Sequence, residues 1–294
     1  MWAKGRFSSM VEFVTKAKDL GFTHIEPNTS VSPRMFSELV KTAVPISSIH
    51  SPCPALSSSR GVPVGSLSLS SQDESERREA VKFTKKTIDV AADVKAKAIG
   101  LHMGEVPIDA TSQDRLYKCY DAGCANTKEY DQAREELLWQ RSSNASRYLD
   151  AARRSLHELY EYGWQKGIML GLETRFHLNE IPNIDEMEEL LSEAPRSVVG
   201  YWHDTGHAQV QEQLGFTSHE EWLSRFHDRM IGIHLHDILD ISDHHAPGRG
   251  NMNWEMIARY LVPGLVKVCE IGEWNDEEQM RGAVRFLQKK GIIG

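Results

Sequence analysis

The sequence predicts an α/β fold, a (β/α)8 TIM barrel whose first strand is missing or rudimentary. Stretches with helical apolar spacing alternate with short β-rich runs along the chain. Successive runs lie about 30 to 40 residues apart, as strand-helix units do, and such units build a parallel sheet that can close into a barrel. A barrel of this kind fills about 250 residues. We therefore expect one domain, residues 1–294, with an insertion around 105–145.

The composition is that of a soluble protein with a sizeable core. Hydrophobic residues make up 40% of the chain, and no apolar run approaches the roughly 20 residues that span a bilayer. The four cysteines form no CxxC pair or disulfide framework, and the first residues lack the apolar core of a signal peptide, which favours a cytoplasmic protein. The net charge of -8 disfavours a broad nucleic-acid-binding face but leaves a local basic patch open.

The first half of the chain opens on a helix. Met10, Val14 and Ala17 recur at helical spacing within residues 7–20, and Gly21 ends the pattern. The loop predicted at 54–71 is rich in Ser, Gly and Pro, and its length is typical of functional or mobile loops. Further helices are predicted at 35–44 and 74–94, and strands at 23–28, 45–52 and 97–106.

The second half repeats the alternation after an insertion. Residues 107–127 are polar and precede a long helical region at 130–167. Cys119 and Cys124 lie in this insertion, and without a second pair they are expected to be ordinary thiols. Strands are predicted at 167–176, 197–208, 231–237 and 265–274, and helices at 184–192, 219–228, 254–261 and 276–290.

The strand count leaves one place in the barrel without a strand. Seven strands are predicted, and the first helix begins almost at Met1. Three explanations stay open: the native start lies upstream, residues 1–7 form a rudimentary strand, or the barrel is open between the 23–28 strand and the last strand. Because an open seam exposes unpaired backbone groups, we expect a loop, a symmetry partner or a very short strand to cover it.

Metal-type ligands fall at the ends of the predicted strands. They are His50, His102, Glu173, Asp204, His234 and Glu270. The carboxyl ends of barrel strands face one shared bowl, so these side chains are expected to converge. Imidazoles and carboxylates packed together repel one another or shift their pKa values unless a cation compensates them. Mixed ligands of this kind suit a divalent manganese, zinc, cobalt or iron ion.

The same residues carry a resemblance that covers nearly the whole chain. The ordered motifs resemble the xylose-isomerase-like barrel superfamily, which contains sugar isomerases and epimerases, related dehydratases, and abasic-site nucleases of the endonuclease IV type. These motifs are IHSP (49–52), GLHMG (100–104), GLET (171–174), HDTGHA (203–208), IHLHD (233–237), HHAPGRG (244–250) and CEIG (269–272). The resemblance implies a divalent metal, manganese or zinc above all, held by Glu173, Asp204, His234 and Glu270.

In the isomerase and epimerase branch, the resemblance implies that Glu173 and Glu270 also exchange a proton with the substrate carbon, on opposite faces of a metal-bound enediolate. A metal that polarises a carbonyl makes the neighbouring C–H more acidic, which supports this role. The substrate would be a sugar, a sugar phosphate or a polyol. Strand alternation puts Trp202 on the side of Asp204 and His203 on the opposite, structural side. Candidate substrate-binding residues are His50, His102, Arg175, Trp202, His207 and His236.

The nuclease branch gives the alternative function, a multi-zinc phosphodiesterase acting on abasic-site DNA. It would add ligands at His50, His102, His207 and His244, with Asp243 or Asp240 as a further carboxylate. Up to three metals could then position a hydroxide and stabilise both oxygens of an in-line cleavage. Three departures weaken this alternative. His236 stands where the nuclease pattern has Asn, Leu239 stands where it has a basic residue, and Ser242-Asp243-His244 stands in place of Asp-Arg-His.

A third hypothesis is a non-catalytic binding barrel. It is disfavoured because stability does not require imidazoles and carboxylates at the top of a barrel. The sequence therefore predicts an enzyme with a small carbohydrate substrate and one to three divalent ions. A membrane partner is not expected, and nucleic acid is disfavoured but left open. The oligomeric state, a homo-oligomer included, is left open as well.

Overall fold

Parallel strands form the centre of the molecule. The computed structural model describes residues 1–125 and 127–294. Six of its strands pair in parallel, in the order in which they follow along the chain, and the sheet curls into a nearly closed barrel, which confirms the predicted fold class. These strands are β1 (Ser48–His50), β2 (Ala98–Leu101), β3 (Met169–Glu173), β4 (Val199–Asp204), β5 (Met230–His234) and β8 (Val266–Val268). Between β5 and β8, β6 (Asp237–Leu239) and β7 (Ser242–His245) form an antiparallel hairpin.

Helices connect the strands and cover the outside of the sheet. They are α1 (Met10–Asp19), α2 (Pro33–Lys41), α3 (Glu74–Asp93), α4 (Ala110–Asp121), α5 (Lys128–Lys166), α6 (Ile184–Glu193), α7 (Thr205–Gln213), α8 (His219–Phe226), α9 (Trp254–Tyr260) and α10 (Glu277–Lys289). α6 begins with a capping box, in which Asn183 and Glu186 each accept the other's backbone N–H. Within the described residues, no helix is both long and apolar enough to cross a bilayer.

Trp202 fills the inside of the barrel. Its side chain is fully buried and packs with Ala98 and Val266. Glycines on the two neighbouring strands make room for the indole. A Cβ added to Gly232 would lie 2.3 Å from Cζ3 of Trp202, and one added to Gly171 would lie 2.6 Å from Cε3. Both glycines are therefore required by this close approach, because interiors are packed at high density.

The segment 23–28 is only marginally a strand. One isolated parallel bridge joins Ile25 to Ile46, so the predicted strand at 23–28 is wrong in extent. Pro27 has no N–H to give to a sheet, which limits pairing on the carboxyl side of the bridge. On its other side, the described residues place no neighbouring strand. The barrel sheet therefore has six strands where the sequence predicts seven.

A seam separates this segment from β8. The seam contains a cavity of about 610 Å³. Ile25 lines it on one rim, formed by the segment 23–28, and Val268 lines it on the other rim, formed by β8. Residues before α1 form turns, and the buried Trp2 donates its Nε1–H to the backbone carbonyl of Asn275 at 2.8 Å. Of the three expected covers, the described residues therefore show a loop, and they contain no full-length strand before α1.

Some elements depart from the sequence predictions. α7 starts directly after Asp204, where the pattern predicts a strand continuing to 208, because the Asp204 carboxylate accepts the His207 N–H at 2.8 Å and caps a helix there. The hairpin β6–β7 begins at Asp237, the last residue of the strand predicted at 231–237, and continues where no element is predicted. α4 occupies much of the predicted insertion, of which residue 126 lies outside the described residues.

Candidate metal centre

Four side chains converge at the carboxyl ends of the barrel strands. Glu173 ends β3, Asp204 ends β4, His234 ends β5 and Glu270 follows β8. Each offers one ligand atom within 4.8 Å of the others. Nδ1 of His234 lies 3.0 Å from Glu270 Oε2, 3.4 Å from Glu173 Oε1 and 3.5 Å from Asp204 Oδ2.

The ligand atoms of this group include buried polar atoms with no hydrogen-bond partner. Glu173 Oε1, Asp204 Oδ2 and His234 Nδ1 all have this property. An unpaired buried polar atom is costly, so three that point to one spot call for a shared partner. Three carboxylates and one imidazole suit a divalent ion such as manganese or zinc. The residues present therefore fit a metal.

The electrostatics of the carboxylates agree with this fit. Burial would raise the pKa of Glu173, but His102 and His234 outweigh burial and hold it well below its ordinary value. For Asp204, burial is likewise outweighed, here by His207 and His236, and its pKa is lowered. These carboxylates are ionised at neutral pH and concentrate negative charge where a cation would bind.

His234 supplies the positive counterpart. Burial would lower its pKa, but Glu270, Glu26 and Glu173 raise that pKa well above its ordinary value. Metal ions bind the unprotonated nitrogen of imidazole, so an ion at this centre would replace the Nδ1 proton. The positive charge that protonated His234 supplies in the absence of an ion would then be supplied by the ion.

A second cluster flanks Glu173. Nε2 of His50 and Nε2 of His102 lie 3.2 and 3.1 Å from its Oε2 atom. Burial, with Arg175 acting in the same direction, lowers the pKa of His102 to about 4, so this ring is neutral at pH 7. The three ligand atoms of His50, His102 and Glu173 lie within 4.8 Å of one another, so these residues could hold an ion. The His102 side chain is 39% exposed and is the more accessible of the two.

A third cluster lies on the side of the hairpin. Ligand atoms of His207, His236 and His244 lie within 4.8 Å of one another. His207 donates Nδ1–H to the Thr174 carbonyl at 2.9 Å, which leaves its Nε2 facing Asp243 Oδ2 at 3.6 Å. His244 has a left-handed backbone with φ of 57°, a conformation that is uncommon outside glycine and often marks a functional position.

Both ring nitrogens of His236 already form hydrogen bonds. Nδ1 accepts the backbone N–H of His244 at 2.9 Å, so Nε2 carries the proton and donates it to Asp204 Oδ1 at 2.9 Å. The ring is fully buried. It thus orients Asp204, a candidate ligand of the first cluster, and contact of His236 with substrate, as expected from the sequence, would require breaking one of these bonds.

The other sequence candidates lie around the centre. Arg175 is buried and forms an ion pair with Glu180, whose Oε1 accepts its Nε–H at 3.1 Å, while its Nη1 lies 3.6 Å from Glu173 Oε1. Trp202 lies inside the barrel and has no exposed surface, so it packs beneath the centre and is not placed to contact a substrate. Of the two candidate aspartates, Asp243 faces His207 and Asp240 lies exposed in the hairpin turn.

Sequence reasoning missed two acidic residues of this region. Glu26 contacts His234 and directly follows Ile25, the bridge residue of the segment 23–28, so the same signal that singles out the candidate ligands, an ionisable residue after a β-type run, applies to it. Asp237 fixes the turn after the hairpin. Its carboxylate accepts the N–H groups of Gly248 and Met252 and the indole N–H of Trp254 at 2.9 to 3.1 Å.

Comparisons with known proteins agree with this architecture. A family model described as "Xylose isomerase-like TIM barrel" matches residues 14–290. A search among curated proteins by sequence finds no match.

Solved structures with the same fold include one epimerase-like protein and two proteins named as epimerases. A D-tagatose 3-epimerase-like protein has 18% sequence identity and a TM-score of 0.68, over 96% of this chain and 93% of that one. A D-psicose 3-epimerase from Clostridium cellulolyticum H10, solved with D-tagatose, has 16% identity and a TM-score of 0.66, over 96% and 94%. A 3-keto-D-glucoside 4-epimerase from E. coli has 13% identity and a TM-score of 0.65, over 97% and 96%. At these identities the likeness is one of fold.

Proposed function

Because the chain belongs to the xylose isomerase-like TIM barrel family, we propose that it is a metal-dependent isomerase or epimerase. Its substrate would be a sugar, a sugar phosphate or a polyol, and the reaction would be proton transfer through an enediolate. The observation that carries this proposal is the convergence of three unpartnered buried ligand atoms with Glu270 at one point. The solved structures of like fold that are named as sugar epimerases support the substrate class.

A divalent ion bound at this centre would polarise a substrate carbonyl and stabilise negative charge on its oxygen. Glu173 and Glu270 stand on different strands on either side of His234, 3.4 and 3.0 Å from its Nδ1. We assign them the removal and return of the proton at the carbon next to that carbonyl. A carboxylate in reach of such a carbon is a suitable general base.

The neighbouring side chains would bind and orient the substrate. His102 is partly exposed and neutral, so it can donate to or accept from a hydroxyl group. His207 keeps Nε2 free because Nδ1 is bound to the Thr174 carbonyl. Arg175 lies behind Glu173, and its positive charge favours the ionised carboxylate that proton removal needs.

Deuterium exchange tests the proposal. The manganese- or zinc-loaded protein would be incubated in D2O with a panel of ketoses, their phosphates and keto-polyols, and the products examined by NMR. Incorporation of solvent deuterium at the carbon next to the carbonyl, together with a new epimer or isomer, is expected for at least one compound. Absence of exchange across the panel in metal-loaded, folded protein would contradict the proposal.

A second candidate is the multi-zinc phosphodiesterase. It is favoured by one specific observation: His50 with His102, and His207 with His244 and Asp243, form clusters on both sides of the central ligands. Both ring nitrogens of His236 already form hydrogen bonds, so this residue is a poor metal ligand for the cluster beside the hairpin. A nicking assay on duplex DNA with one abasic site, run on the same metal-loaded protein, separates the two functions.

A further inference from the structure

His234 presents its two ring nitrogens to different partners. Nδ1 faces the metal centre, where Glu270 Oε2 lies 3.0 Å away. Nε2 points to the opposite side and lies 2.9 Å from Oε1 of Glu26. The ring is fully buried, so these two contacts decide which nitrogen carries a proton in the neutral imidazole.

Glu26 is itself held in a fixed place. The hydroxyl group of Ser48, on β1, donates to its Oε2 atom, and its side chain is 5% exposed. The backbone on both sides is tied to the first strand region: the Ile25 N–H donates to the Pro45 carbonyl at 3.0 Å, and the His50 N–H to the Pro27 carbonyl at 2.9 Å. The remaining oxygen, Oε1, is thereby directed at His234.

We propose that Glu26 is the positioning residue of the metal centre, which holds His234 in the Nε2–H form and leaves the Nδ1 lone pair directed at the ion. This inference rests on the proposed metal centre. A ligating histidine commonly donates its other N–H to a carboxylate, which fixes the ring and strengthens the donor nitrogen. Without Glu26, the neutral ring would favour the form in which Nδ1–H donates to Glu270, and the proton would occupy the place of the metal.

Metal affinity of matched variants tests the inference. Zinc and cobalt(II) dissociation constants would be measured by competition with a chromophoric chelator for wild type, Glu26→Gln, Glu26→Ala, His234→Ala and the exposed control Glu278→Gln. We expect Glu26→Ala to weaken binding about 10- to 100-fold. Glu26→Gln keeps an acceptor oxygen and should recover part of that loss, whereas Glu278→Gln should match wild type. In the double variant Glu26→Ala, His234→Ala, the Glu26 change should add little to the loss from His234→Ala.

The outcomes are distinguishable. If His234→Ala weakens binding but Glu26→Ala stays within about twofold of wild type, the positioning role is wrong and the metal centre stands. If neither variant changes the affinity, the metal centre itself is wrong. Nitrogen-15 NMR of histidine-labelled, zinc-loaded wild type provides a test that does not depend on a variant folding: the Nε2–H form of His234 is expected, and the Nδ1–H form would overturn the inference.

Discussion

Trp202 packs edge-on against His234, with 5.3 Å between their ring centroids and 63° between their planes. The indole therefore supports a proposed metal ligand from below, on the inside of the barrel. This arrangement depends on Gly171 and Gly232, whose missing side chains leave the space that the indole occupies. Packing inside the barrel and geometry at its top are thus connected through one aromatic ring.

Replacing Gly232 by alanine should disturb this packing. The new Cβ would lie 2.3 Å from Trp202, so the ring must move, and overpacking of this kind costs about 1 to 3 kcal/mol of unfolding free energy. Denaturant unfolding measures the loss. Gly282→Ala in α10, whose Cβ would meet no heavy atom within 4 Å, is the matched control and should be neutral or slightly stabilising. Equal stability of Gly232→Ala and wild type would contradict the packing argument.

Removing either proposed acid/base group should stop proton exchange. Glu173→Gln and Glu270→Gln retain size and hydrogen-bonding capacity but cannot take a proton from carbon, so turnover should fall by about 100-fold or more once a substrate is known. Metal content has to be measured in parallel because both residues are also proposed ligands. The exposed Glu278→Gln serves as control. Full activity of both variants would show that the acid/base assignment is wrong.

Metal number should separate the two candidate functions. Elemental analysis of protein purified without chelator is expected to give about one manganese or zinc ion per chain for the isomerase or epimerase, and a value near three zinc ions would favour the phosphodiesterase. Chelation should also lower thermal stability, because an ion at 100 times its dissociation constant stabilises the folded state by about 2.7 kcal/mol. No bound ion and no affinity for manganese or zinc by calorimetry would rule out both functions.

Acid should weaken the fold partly through Glu180. Burial would raise its pKa, but Arg175 and His102 outweigh burial and lower it from 4.5 to about 2. A depressed carboxyl pKa contributes stability that is complete above the unfolded pKa near 4.5 and is lost as pH falls toward 2. We therefore expect Glu180→Gln to cost about 3 kcal/mol at pH 7. The difference from wild type should shrink between pH 4.5 and pH 2 in denaturant unfolding series, and a constant difference across this range would contradict the ion pair.

The alternation of elements and the position of the candidate ligands at strand ends could be predicted because each depends on short-range patterns. Asp204 and His234 stand 30 residues apart, one strand-helix unit, and parallel strands bring such positions to one edge. The single-bridge state of 23–28 could not be predicted, because Ile25 and its neighbours have strand-type side chains, and pairing depends on whether a partner strand lies alongside. The hydrogen bond that His236 Nδ1 accepts could not be predicted either, because it depends on the left-handed backbone of His244, whose N–H donates it.

A carboxylate from each rim of the seam approaches the same imidazole at the site. Glu26 stands on one rim and Glu270 follows the strand of the other, and both reach His234, at 2.9 and 3.0 Å. Because His234 lies on β5, which pairs with β8, any breathing motion that parts the rims must separate Glu26 from the imidazole. An ion held by Glu173, Asp204, His234 and Glu270 would fix the imidazole that Glu26 contacts, and amide hydrogen exchange in 23–28 and in Val266–Val268 would slow as the protein is loaded with metal.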